Sequence, residues 1–162
     1  MQTDLQFWKI YLDTCCLSRL FDDQTQTRIR QETEVISWIL TQFRIGHWYW
    51  VSSDVLVDEI EQIRDLNQRM QSKNRLTQVH QTIPLGISEI SRGKQLEVLG
   101  FKELDALHLA CAESGSVDIF LTTDDRLLRG AKRNNSFLRV RVENPYVWFQ
   151  EVPRSERLRD DR

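Results

Sequence analysis

The chain of 162 residues has room for one domain with a core of its own and is short for two. With 40% hydrophobic and 28% charged residues, six Gly and three Pro, it is neither fibrous nor repetitive nor rich in linkers. A formal net charge of −2 excludes a uniformly basic nucleic-acid coat protein, so a polyanion would have to meet a local patch.

Ile10-Tyr11-Leu12 reads as a buried strand ending at Asp13. From Arg28 to Ile45 the residues Val35, Ile36, Ile39, Leu40 and Phe43 recur at helical spacing, and Gly46 closes that helix. His47–Val51 is aromatic and β-prone, a second strand. Ser52-Ser53-Asp54 signals an N-cap, and the helix it opens carries the stripe Leu56, Ile60, Ile63 and Leu66. Asn67–Gln81 continues as, or breaks into, an exposed helix, and Ile83-Pro84-Leu85 is a connector or short strand. Helices over Ile87–Leu99 and Phe101–Glu113 follow, closed by Gly100 and Gly115. Ile119–Thr123 is a third strand, ending in Asp124-Asp125, and Arg126–Arg133 is a short basic helix. Leu138–Val142 alternates in polarity like an edge strand. Residues 1–152 therefore read as one domain, with a charged, frayed tail over 153–162. Strands alternating with helices predict an α/β fold around a mostly parallel sheet. Sites in such sheets lie at the carboxyl ends of the strands, which points to Asp13, the segment after Val51, and Asp124.

Each of those aspartates alone could simply cap a helix. Glu59 says more. At about 100° per residue it falls inside the apolar stripe of its helix, while Asp58 projects to the polar face. A carboxylate turned inward is met by an ion pair or by a metal ion. Asp105 is similarly pressed toward the interior in Leu104-Asp105-Ala106-Leu107-His108-Leu109-Ala110, where charge is otherwise scarce. If Asp13, Glu59, Asp105 and Asp124 converge, they need a counter-charge. A hard divalent cation with oxygen ligands, Mg²⁺ or Mn²⁺, suits them, and suits phosphoryl chemistry.

Four segments in this order resemble the PIN domain, the nuclease fold of VapC-like toxins in bacterial toxin–antitoxin pairs. They are Ile-Tyr-Leu-Asp13-Thr14, Ser53–Ile60, Leu104–Ala110, and Phe-Leu-Thr122-Thr123-Asp124-Asp125-Arg126-Leu127. The resemblance implies a three-layer α/β/α sandwich and a metal-dependent endoribonuclease. Carried over residue by residue, the catalytic and metal-binding acids are Asp13, Glu59, Asp105 and Asp124. Asp125 is a candidate fifth acid, and Thr14 and Thr122 are hydroxyls that would orient carboxylates. The resemblance further implies an RNA substrate, a separate antitoxin chain and a homodimer; five Trp and seven Phe support the dimer if some form an exposed patch. Other readings stay open. One is a structure-specific DNA or RNA nuclease of the same fold. A second is a PIN-like interaction domain without activity, which the presence of all four acids disfavours. A third is a receiver-type phosphoacceptor, disfavoured because two of the acids lie on helices.

Arg126, Arg129, Lys132 and Arg133, with Arg19, are candidate RNA-binding cations; a second basic cluster is Arg64, Arg69, Lys73 and Arg75. His108, one helical turn from Asp105, reads as a satisfied, half-buried histidine. Trp48 and Trp50 read as core. No nucleophile–histidine set and no phosphate-binding glycine loop is present. Cys15, Cys16 and Cys111 read as buried free thiols without metal-ligand spacing. With no apolar run near the roughly 20 residues of a membrane span and no signal peptide, the expected location is the cytoplasm.

Overall fold

The computed structural model describes residues 7–157. Five parallel strands form one sheet in the order β3-β2-β1-β4-β5: β1 Lys9–Leu12, β2 Tyr49–Ser53, β3 Gln81–Ile83, β4 Ile119–Leu121 and β5 Val142–Glu143. All-parallel pairing requires helical crossovers, which cover both faces and bury the central strands. Within β1, Ile10, Tyr11 and Leu12 are all fully buried, as are all three residues of β4.

Strand register divides the two faces. Tyr11 pairs with Val51 and Phe120, while Ile10 pairs with Trp50 and Ile119. Side chains alternate along a strand, so these two rows point to opposite sides. The Ile10 row meets α2 (Thr27–Arg44), whose Phe43 stacks on Trp50, and α8 (Pro145–Glu151) packs against α2. The Tyr11 row meets α6 (Glu103–Ser114), which forms a helical pair with α5 (Ile87–Val98). The result is the three-layer α/β/α sandwich expected from sequence. Trp8, Trp38, Trp48 and Trp148 interlock at centroid distances of 5.1–6.5 Å beneath α2 and α8.

Several boundaries differ from the sequence reading. The helix opened by Ser53, α3, stops at Glu61 instead of running to Leu66. Asp65 then caps a separate helix, α4 (Leu66–Leu76), by accepting from Gln68 N at 2.7 Å; Leu66 lies at its start and is 58% exposed. The final strand is two residues long rather than five, because β5 pairs only with Phe120 and Leu121 at the sheet's edge. Gly115 caps α6 in right-handed conformation, and the left-handed residue is Ser116 (φ 51°). What Gly115 supplies is a missing Cβ, which would lie 2.9 Å from Val51 Cγ1. In the tail, Arg154–Arg157 forms one helical turn, and residues 158–162 of the expected frayed segment lie outside the described residues.

Candidate functional site

β1 and β4 end side by side, and their carboxyl ends bring Asp13 and Thr122–Asp124 together: Asp13 N donates to Leu121 O at 2.9 Å. Asp13 is buried and held on both oxygens. Oδ1 accepts from Thr14 N at 2.8 Å, which opens the five-residue helix α1 (Thr14–Ser18), and Oδ2 accepts from the Thr122 hydroxyl at 2.8 Å. Asp124 accepts through Oδ1 from the amides of Arg126 and Leu127 and so caps α7 (Asp125–Arg133).

These two aspartates share a cleft of about 410 Å³ with Glu59 from α3 and Asp105 from the first turn of α6; Cys15 and Lys102 also line it. All four sequence-chosen acids therefore face one space. Asp58 is exposed on the other side of α3. Asp105 has its carboxyl pushed up to about 6, first by burial and then by the charges of Asp13 and Asp124, with His108 and Lys102 pulling the other way. The acids are not drawn into a tight cage. Among the described residues no three Asp, Glu, His or Cys side chains already stand in common metal-holding geometry. Mg²⁺-type sites take only one or two protein carboxylates plus water, so a looser set of acids is compatible with one. The chemistry of the donor set, four carboxylates facing one cleft with Lys102 as the cation lining it, fits a hard divalent ion.

Beneath the cleft lies His108, 1% exposed and deeper than the half-buried position expected. Its Nε2 is hydrogen-bonded to Glu59 Oε1 and lies 3.9 Å from Asp13 Oδ1; its Nδ1 is 2.6 Å from the Tyr11 hydroxyl. Tyr11 in turn is 2.6 Å from Ser53 Oγ, which accepts from Leu56 N. Burial alone would pull the imidazole down; the Glu59 hydrogen bond and the charges of Asp13, Glu59 and Asp105 outweigh it and raise it. Burial also holds Tyr11 well above its ordinary value, so the phenol keeps its proton.

A family model of the PIN domain matches residues 10–133. The chain belongs to the PIN domain family. Among solved structures it is similar to a chain of VapBC2 from Rickettsia felis, crystallised bound to a DNA fragment from their promoter. The TM-score is 0.56 at 11% identity, covering 84% of this chain and 98% of that one, a likeness of fold. No curated protein matches the chain.

Other residues singled out from sequence stand differently around this PIN cleft. Asp125 is turned away and exposed; both its oxygens accept from Arg28 at 2.8 Å, and that guanidinium holds its carboxyl below the usual range. Arg19 is engaged by Asp22 and by the buried Glu32, each at 3.0 Å. Thr14 reaches Asp13 through its backbone amide, while its hydroxyl is buried without a partner; Thr122 is the hydroxyl that orients Asp13. Arg126, Arg129, Lys132 and Arg133 are exposed on α7. Arg129 and Lys132 line a groove of about 450 Å³ between α7 and β5. In the second basic cluster, Lys73 pairs with Glu61 at 2.7 Å, Arg69 donates to Ile63 O, and Arg75 lies over the Phe21 ring.

Three neighbours of the acids had no assigned role in the sequence reading. Cys15, read as a buried thiol, lines the cleft, with Sγ 3.4 Å from Asp13 Oδ2 and 3.2 Å from Thr122 Oγ1. Its position two residues after Asp13 is the signal that could have found it. Lys102 was legible one helical turn before Asp105. Tyr11 carries no such local signal, since its partner His108 is 97 residues away.

Proposed function

We propose that this chain is a divalent-metal-dependent endoribonuclease, acting as the toxin of a toxin–antitoxin pair. The observation that carries the reading is the meeting of Asp13, Glu59, Asp105 and Asp124 on one cleft at the carboxyl ends of β1 and β4. Membership of the PIN family supports it.

Asp13, Glu59, Asp105 and Asp124 are the residues that would hold Mg²⁺ or Mn²⁺. When bound, such an ion polarises a phosphate oxygen and lowers the pKa of an attacking water. The rest of the work falls to the chain. Thr14 N and Thr122 Oγ1 fix Asp13 on both oxygens. Burial and the charges of Asp13 and Asp124 raise the Asp105 carboxyl to about 6, so a cation bound there would relieve the repulsion that raises it. Arg126, Arg129, Lys132 and Arg133 offer exposed positive charge on the helix that Asp124 caps, suited to holding a phosphate backbone. Arg19 is left with less capacity for RNA, because Asp22 and Glu32 already engage it.

The solved neighbour is named for two components, VapB and VapC, and that supports a separate antitoxin partner for this chain. A homodimer is the simplest assembly for such a domain. Three free cysteines suit a reducing cytoplasm. Among the described residues no helix is long and apolar enough to cross a membrane.

The deciding experiment incubates purified protein with structured and unstructured RNAs in Mg²⁺ or Mn²⁺, with and without excess chelator. Cleavage is expected only with free metal and is expected to be lost in Asp13→Asn. Cleavage that survives complete chelation overturns the metal mechanism, and metal-dependent cleavage of DNA with RNA left intact overturns the substrate assignment.

A further inference from the structure

The cleft acids differ in what anchors them. Asp13 and Asp124 are fixed by backbone amides. Glu59 projects from the last turn of α3 on a longer side chain that is 29% exposed, and its carboxylate accepts a hydrogen bond from the buried His108. An ionised carboxylate only accepts, so Nε2 carries the proton toward Glu59 whichever charge the ring holds. Nδ1 shares a hydrogen bond with the Tyr11 hydroxyl, which is hydrogen-bonded to Ser53 Oγ, and that oxygen accepts from Leu56 N. Every donor in this series has one acceptor. The series leaves α3 at Leu56, crosses β2 and β1, passes through α6 and returns to α3 at Glu59. It fixes the ring from both nitrogens, with a further edge contact of the ring on Tyr11 at 5.7 Å between centroids.

We propose that His108 is a positioning residue, oriented by Tyr11 and Ser53, that holds the Glu59 carboxylate beside Asp13 so that a divalent cation meets it already aligned. The inference rests on the metal-site reading above and adds to it a residue outside the acid set. Fixing a ligating carboxylate from behind removes rotamer freedom that binding would otherwise have to freeze, and partners of this kind commonly tune affinity 10–100-fold.

The test reads Mn²⁺ binding to the purified chain by the loss of free-ion electron paramagnetic resonance signal, without RNA. His108→Leu removes both ring contacts and is expected to weaken Mn²⁺ binding by about tenfold or more. His108→Gln, which can place an amide donor near the Nε2 position, is expected to stay within about threefold of wild type. Tyr11→Phe removes one oxygen and is expected to weaken binding by less than His108→Leu, with unchanged unfolding cooperativity; it also carries the test if His108→Leu fails to fold. In a Glu59→Gln background, His108→Leu is expected to produce no further loss, because the residue acts through that carboxylate. Equal losses with and without the Glu59 carboxylate, or wild-type affinity in both His108→Leu and Tyr11→Phe, overturn the proposal while leaving the metal site standing. Mn²⁺ binding that is undetectable in wild type, or indifferent to Asp13→Asn and Glu59→Gln, overturns the metal-site reading and this inference with it.

Discussion

Asp58 and Glu59 are adjacent carboxylates on one helix with opposite surroundings, solvent for the first and the cleft for the second. Glu59→Gln is expected to abolish metal-dependent cleavage in a protein that stays folded, whereas Asp58→Asn should stay within about twofold of wild type, as surface changes usually do. The reverse ranking in a single-turnover assay would place the wrong acid in the cleft. The helical phase that separates the pair is readable from Leu56 and Ile60 alone, even though Ile63 and Leu66 lie beyond the helix. Asp105 supports a pH-resolved prediction. Its folded-state carboxyl near 6 lies above the ordinary 3.8, so its contribution to stability is full below about pH 4 and is lost as pH rises through 6. In the metal-free chain, Asp105→Asn should therefore be stabilising at pH 8 by roughly 1 kcal/mol after allowance for solvent screening, and neutral at pH 4. Thermal unfolding should show this as a Tm higher by about 2–4 °C, and equal Tm values at pH 8 would refute it. The depth of His108 and the idle hydroxyl of Thr14 were beyond sequence reasoning. Both depend on which side chain a distant strand presents, which no local spacing encodes.

Glu32 ties several elements together. Buried in α2, it is met by Arg19 at 3.0 Å, by Arg28 at 3.4 Å and by Asn144 Nδ2 at 2.5 Å. Asn144 is the N-cap of α8, and Arg28 also grips Asp125 at the start of α7. Glu32→Ala should cost about 3 kcal/mol in urea unfolding, because it takes the buried partner from Arg19, leaving it Asp22 alone, and leaves the Asn144 amide without its acceptor. A loss under 1 kcal/mol would mean that the three elements hold without it. A tighter packing constraint sits between α5 and α6, where a Cβ on Gly93 would lie 2.9 Å from Leu107 Cδ2. Element identity was largely legible: short continuous apolar or aromatic runs marked β1, β2 and β4, helical spacing marked α2 and α5, and an Ala- and Leu-rich segment marked α6. Lengths were less so. Asp65 reads as an interior helical residue until its side chain is seen capping α4, and the β5 edge has too few pairing partners to sustain a longer strand.

At the scale of the whole molecule, the tryptophans supply no contact patch, and the exposed aromatic side chains among the described residues are Phe7 and Phe137. Trp48, Trp50 and Trp148 are fully buried, and Trp8 and Trp38 pack against them. The large apolar residues left in solvent are mainly aliphatic, among them Ile87 at 89% and Val98 at 87% on α5. If the proposed dimer forms, sedimentation velocity at micromolar concentration should show a species near twice the 19.3 kDa chain mass, and Asp13→Asn should leave it intact. A single 19.3 kDa species unchanged by concentration would exclude it. The contact between Asp13 and Thr122, 109 residues apart, has a consequence for synthesis. A ribosome delivers β1 early and β4 late, at about 5–20 residues per second. For on the order of ten seconds the emerging polypeptide holds Asp13 with no neighbouring strand to fix it. On the proposed ribonuclease reading, a centre wired this way is incomplete while the message is still being translated, until β4 has emerged. Stalled nascent chains ending before Ile119 should accordingly be inert toward RNA, and the full-length released chain should not.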